Sequence, residues 1–139
     1  MKTLLFAILL SSSSLAGGSL FQQNFIGLNK NEIAKYFSEN NRSFKLNTAY
    51  INNSYNYLKY EDKVREITVL FFLDDDNQCR MIRIMSDYSN LNDLEAELNQ
   101  NYKKTEKNLW CFIDDDTTYD VELEEGDWFF TISVKVDKE

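Results

Sequence analysis

The sequence contains no histidine and no proline, only four glycines and only two cysteines. Each shortage excludes something. Without histidine the chain lacks the commonest general base and metal ligand, and neither a Ser-His nor a Cys-His nucleophile pair can be assembled. With glycine only at 17, 18, 27 and 126, no glycine-rich phosphate loop can be written. The lack of proline and glycine also argues against long flexible linkers. Paired carboxylates can hydrolyse glycosides, but any acidic surface offers such pairs, so they single out no site. This inventory predicts a protein that is not an enzyme and that uses no cofactor or metal.

Positive charge is scarce too. Fifteen Lys and Arg face 23 Asp and Glu, a net charge of −8. A field of that sign repels nucleic-acid phosphates and anionic lipid head groups, and accommodates a basic protein patch or a cation. The N-terminus reads Met1-Lys2, an apolar stretch from Leu4 to Leu10, Ser11 to Ser14, then Leu15-Ala16-Gly17-Gly18. A charged start, a short apolar run and a small-residue exit form a secretory signal peptide cleaved after Ala16. The run is shorter than the roughly 20 residues that span a bilayer, and no second long one follows, so no membrane insertion is expected after its removal. The expectation is a signal peptide at 1–16 and a single domain at 17–139, secreted or periplasmic. Loss of Lys2 with the leader takes the charge to −9. In that oxidising setting Cys79 and Cys111 either form a disulfide or remain two small buried thiols. A bridge would close a loop of about 30 residues, worth on the order of 3 to 4 kcal/mol.

What is abundant is aromatic and β-branched. Phe, Tyr and Trp make up 14% of the chain, which predicts much strand. Two segments have helical spacing. Asn29 precedes Lys30-Asn31-Glu32 as a capping box, with Ile33, Tyr36 and Phe37 on one face. Asn90 precedes Leu91, Leu94, Leu98 and Tyr102 at spacings of three and four. Elsewhere the period is two. Val121 and Leu123 alternate with acids, and after Gly126-Asp127 the set Trp128, Phe130, Ile132, Val134 and Val136 alternates with Phe129, Thr131, Ser133 and Lys135. Ile67 to Leu73 is nearly all apolar, which predicts a central strand covered on both faces. Further strands are expected near 45–51, 55–61, 79–86 and 108–113. The predicted fold is α+β: a mainly antiparallel sheet of about seven strands, two helices on one face, in the order α-β-β-β-β-α-β-β-β. Shifting the second half by 61 positions lays Asn29, Ile33 and Phe37 on Asn90, Leu94 and Leu98, and Ile67 to Leu73 on Trp128 to Val134. That pattern suggests a duplicated α-β-β-β unit.

Two features invite a function. The acidic triplets Asp74-Asp75-Asp76 and Asp114-Asp115-Asp116 each follow an apolar strand. Oxygen-rich loops suit calcium, but a twelve-residue loop counted from Asp114 puts Tyr119 where the sharp turn calls for glycine, so polar hairpin turns are the simpler reading. The aromatics are the second feature. Tyr50, Tyr55, Tyr57 and Tyr60 crowd one stretch, Trp110 and Phe112 fall on the strand face opposite Leu109, Cys111 and Ile113, and Phe129 lies on the solvated face of the last strand. Aromatics beside carboxylates on an uncovered sheet face resemble a protein-binding patch, with Tyr55, Tyr57, Trp110, Phe112 and Phe129 as the candidates.

The stretch Phe25-Ile26-Gly27-Leu28-Asn29-Lys30-Asn31-Glu32-Ile33 resembles the helix start of certain small secreted bacterial modules. These are the small lipoprotein of the outer-membrane β-barrel assembly machinery and the β-lactamase inhibitory proteins. The lipidated cysteine of the first and the paired repeat cysteines of the second have no counterpart here. What the resemblance implies is a helix-plus-strands architecture and protein recognition. Together these readings predict a secreted or periplasmic non-catalytic protein-binding module, inhibitor- or adaptor-like. The alternative is a carrier of a small apolar or cationic ligand in a cleft between sheet and helices.

Overall fold

The computed structural model describes residues 19–47 and 56–137. Helix α1 spans Lys30–Asn40, and its start is the capping box read from the sequence. The Glu32 amide donates to Asn29 Oδ1 at 2.9 Å, and the Asn29 amide donates to Glu32 Oε1 at 3.0 Å. Such a cap is worth about 1 kcal/mol. Helix α2 spans Leu91–Asn101, but Asn90 does not cap it. The helical path begins earlier, in a single 3-10 turn at Tyr88–Asn90 capped by Asp87, whose carboxylate accepts from the Ser89 amide. The Asn90 side chain instead donates to the Arg65 carbonyl and to Ser86 Oγ, tying the turn to the sheet.

Eight strands form one antiparallel sheet: β1 Lys45–Leu46, β2 Tyr57–Asp62, β3 Ile67–Leu73, β4 Cys79–Ser86, β5 Lys103–Glu106, β6 Leu109–Asp114, β7 Thr117–Glu125 and β8 Phe130–Val136. Their order across the sheet is β1-β2-β3-β4-β8-β7-β6-β5. The α+β class and both helices are as expected; the strand count is eight, not seven. The unexpected strand is β5. Its Lys-Lys-Thr-Glu has no apolar alternation to betray it, and it is exposed throughout at the sheet edge. Lysines on an edge strand discourage further pairing.

The repeat is real in topology but larger than a helix and three strands. Each half is a helix followed by a four-strand meander, and the halves meet where β4 pairs with β8. The helices are 61 residues apart, while β2, β3 and β4 begin 52, 50 and 51 residues before β6, β7 and β8. Most of the difference falls between the first two strands of each half. Residues 47–56 join β1 to β2, where Lys107 and Asn108 alone join β5 to β6. A uniform shift of 61 therefore lays β3 over β8, although its topological counterpart is β7.

Both helices pack on the same face. Ile33 and Phe37 of α1 and Leu94 and Leu98 of α2 join Leu58, Val69, Phe71, Ile84, Trp110, Val121, Phe130 and Ile132 in one core. Fully burying one such side chain contributes about 1.5 to 3 kcal/mol. Phe37 stacks on Tyr60 at 4.4 Å and meets Phe71 edge-on at 5.7 Å, fixing α1 to β2 and β3. The segment before α1 fills the groove between the helices. Phe25 packs on Phe71, Phe21 meets Tyr102 at 5.8 Å, and the Tyr102 hydroxyl donates to the Phe21 carbonyl at 3.3 Å.

Candidate functional site

Because strand side chains alternate, an eight-stranded sheet that is covered on one face displays a second set of residues on the other. Here β3 shows the separation most clearly. Ile67, Val69, Phe71 and Leu73 are buried, while Thr68, Leu70 and Phe72 are only half-buried. The expectation that β3 is covered on both faces is thus corrected. An unbroken apolar run reads as two buried faces, but Leu70 and Phe72 are shielded only by their neighbours on the pleated surface. Both helices and residues 20–25 lie on the other side, so among the described residues no layer covers this face.

The strand register sets the face out in rows. One row runs Tyr57, Phe72, Met81, Lys135, Asp120, Cys111, Lys103 from β2 to β5. The next runs Lys59, Leu70, Arg83, Ser133, Glu122, Leu109, Glu106. At one end of the first row Tyr57 and Phe72 touch, with ring centroids 5.9 Å apart, and the Arg83 guanidinium lies 5.5 Å from the Phe72 centroid. A cation over an exposed ring is worth about 0.5 to 1 kcal/mol and holds the arginine flat against the sheet. Lys59 reaches Glu61 at 3.5 Å beside this cluster. Tyr57, Phe72 and Arg83 sit on β2 to β4 and Asp120 and Glu122 on β7, while Glu61 on β2, Lys135 on β8 and Lys103 and Glu106 on β5 mix the charges elsewhere.

At the end of β8 the face deepens into a groove of about 720 Å³, whose lining includes Met81, Asp120, Lys135, Asp137, Gln78 and Ile26. Burial raises the Asp120 pKa, and the charge and hydrogen bond of Asp137 push it the same way, against the pull of Lys135. The acidic triplets lie at this same end of the sheet, as turns. Asp74 Oδ1 accepts from the Asp76 and Gln78 amides. Asp115 and Asp116, at φ 54° and 68°, form the two-residue turn joining β6 to β7.

Of the sequence candidates, the structure places Tyr57 on the open face and Phe129 at its margin, 45% exposed beside Thr131. Tyr55 and Tyr50 lie outside the described residues. Trp110 and Phe112 are corrections. Trp110 is 1% exposed beneath α2, where its Nε1 donates to Asn99 Oδ1 at 2.8 Å. Phe112 stacks between Tyr102 and Tyr119 at 4.6 and 4.8 Å. It is Leu109, Cys111 and Ile113 that face outward, Ile113 being 72% exposed. Trp128, expected to alternate with the buried set, lies in the β7–β8 turn and is 85% exposed. Sequence reasoning missed Phe72 and Arg83. The signal lay in the neighbouring strands: Arg83 between Ile82 and Ile84, and Lys59 between Leu58 and Tyr60, mark one face as solvated.

The cysteines are both free. Cys79 is buried in the core on β4, and Cys111 is half-buried on the open face of β6. Two strands intervene, so they stand about 14 Å apart on opposite sides of the sheet, beyond the roughly 7 Å that a disulfide spans. Burial pushes the Cys79 thiol up to about 12. We expect the native protein to carry two thiols, with Cys111 alkylated rapidly at neutral pH and Cys79 only after denaturation. Intact-mass measurement after alkylation checks this, and two alkylated sites in the native state, or none, would contradict it.

Against protein-family models, curated proteins and solved structures alike, the chain has no match.

Proposed function

We propose that this is a secreted or periplasmic, non-catalytic module that binds another protein through the open face of its sheet. The observation that carries the reading is that face itself. Tyr57, Phe72, Leu70, Met81 and Met85 stay half-exposed with Arg83 among them, although the opposite face is fully packed. Aromatic residues, Met and Arg are the residue types enriched in protein interfaces. The resemblance of Phe25–Ile33 to small secreted binding modules points the same way, as does the lack of histidine in the sequence. Among the described residues no helix is long and apolar enough to cross a membrane.

The carrier alternative has less support. The cleft between helices and sheet is occupied by Leu20, Phe21 and Phe25, and the space left there is about 10 Å³. Small-molecule sites usually measure about 300 to 1,000 Å³.

Crosslinking in the native host, from a tagged mature chain, tests the proposal. The exported form is expected to begin at Gly17 and to capture a defined protein. Phe72→Ala and Tyr57→Ala should reduce that capture about tenfold or more each, while shifting thermal stability by only a few degrees. Equal capture by wild type and both variants, or a small molecule co-purifying in native mass spectrometry, would sink it.

A further inference from the structure

The central row of the open face reads Lys59, Leu70, Arg83, Ser133, Glu122, Leu109, Glu106 across seven adjacent strands. About Ser133 it is antisymmetric in charge and symmetric in apolar character: base, apolar, base on one side, and acid, apolar, acid on the other. A two-fold axis parallel to β8, passing above Ser133, turns a second copy of this face onto the first. Arg83 then meets Glu122, Leu70 meets Leu109, and Lys59, which also keeps Glu61 at 3.5 Å, meets Glu106. Each contact occurs twice, as an isologous interface requires. In the adjoining row Phe72 falls opposite Cys111 of the second copy. Lys135 falls on the axis and faces its own copy, a like-charge contact that Asp120, its register neighbour on β7, offsets in each chain, and Met81 falls opposite Asp120 of the second copy. A two-fold perpendicular to the strands would instead set Arg83 on Arg83, and like charges directly opposed cost several kcal/mol.

We infer that the open sheet face also takes a second copy of this chain, forming a face-to-face homodimer held by reciprocal Arg83–Glu122 pairs around a Leu70–Leu109 contact. Sheets packed face to face lie about 10 Å apart with strands nearly aligned, a spacing that these side chains fill. Seven strands spaced about 4.8 Å apart and three rows cover on the order of 600 Å² per copy, at the low end for a specific interface, so a weak dimer is expected. Self-association and the proposed partner compete for one surface, and dissociation of the dimer opens it.

Sedimentation velocity of the mature protein at roughly 100 µM in low salt should show a dimer that dissociates as salt rises, because exposed charge pairs are screened. Arg83→Glu and Glu122→Arg, both at solvent-accessible positions, should each weaken it about tenfold or more, since each creates two like-charge contacts. Mixing the two variants should restore the dimer, because in the heterodimer every contact again pairs opposite charges. Circular dichroism of each single variant confirms that it folds. A wild type that stays monomeric at that concentration overturns the inference, as do single variants that dimerise normally or a mixture that stays monomeric. None of these results bears on capture of a different protein by Tyr57 and Phe72, so the two readings fail separately.

Discussion

Replacing Trp110 with alanine is expected to destabilise the domain by about 3 to 5 kcal/mol, the range for deleting a large buried aromatic. The residue is held from several sides. Its ring is almost wholly buried in the core, its Nε1 donates to Asn99 on α2, and the Lys104 ammonium lies 5.6 Å from the ring centroid. Truncation removes the contact by which β6 holds α2 and leaves the Asn99 carbonyl oxygen without its donor. For a domain of this size the melting temperature should drop by about 10 to 20 °C. Trp110→Phe should recover more than half of the loss, since most of the buried area returns without the hydrogen bond. Thermal unfolding followed by circular dichroism measures both. A melting temperature unchanged in Trp110→Ala, together with lost partner capture, would restore this tryptophan to the binding surface.

The second large effect is expected at Asp62, whose side chain is only 2% exposed. It closes the turn between β2 and β3. Its carboxylate accepts from the Val64 and Arg65 amides at 3.1 Å each and from Arg65 Nε at 2.7 Å. Burial acts to raise its pKa, but hydrogen bonds from the Arg65 side chain and backbone and from Ser43, with the Arg65 charge, outweigh it, so the net shift is downward. A carboxylate whose folded pKa is depressed contributes stability at pH values above its unfolded pKa of about 4 and loses it as pH falls through the lower folded value. Asp62→Ala should therefore cost about 2 to 3 kcal/mol near neutrality, and the difference from wild type should shrink below about pH 4. Urea denaturation at neutral and acidic pH provides the test. A cost that is the same at both would assign the effect to packing alone.

How far the fold was legible depended on whether the physical signal was local. The capping box at Asn29 and the three-four spacing of Leu91, Leu94, Leu98 and Tyr102 involve residues within a few positions of each other, and both helices form there. Strict alternation located the buried face of β8 from Phe130 onward. Where a strand was apolar on both faces, alternation carried no information. That is why the pattern of Leu109 to Ile113 points to the wrong face and that of Ile67 to Leu73 suggests cover on both sides. The register could have repaired the first error. A two-residue turn at Asp115-Asp116 pairs Trp110 with Val121 and Phe112 with Tyr119, the buried set of β7. For β5 there was no signal, because an exposed edge strand needs no apolar pattern.

By itself the sequence determined which residue types are missing, the charge, the two helices and most strands, since these follow from composition and from periodicity within one element. Only the tertiary structure decided which face of each strand meets the helices, that Cys79 and Cys111 lie on opposite sides, and that Phe72 and Arg83 share a surface with Tyr57. Those facts depend on the order β1-β2-β3-β4-β8-β7-β6-β5. That order is set by which long-range pairings bury the most apolar surface at once, a choice that no short window of residues contains.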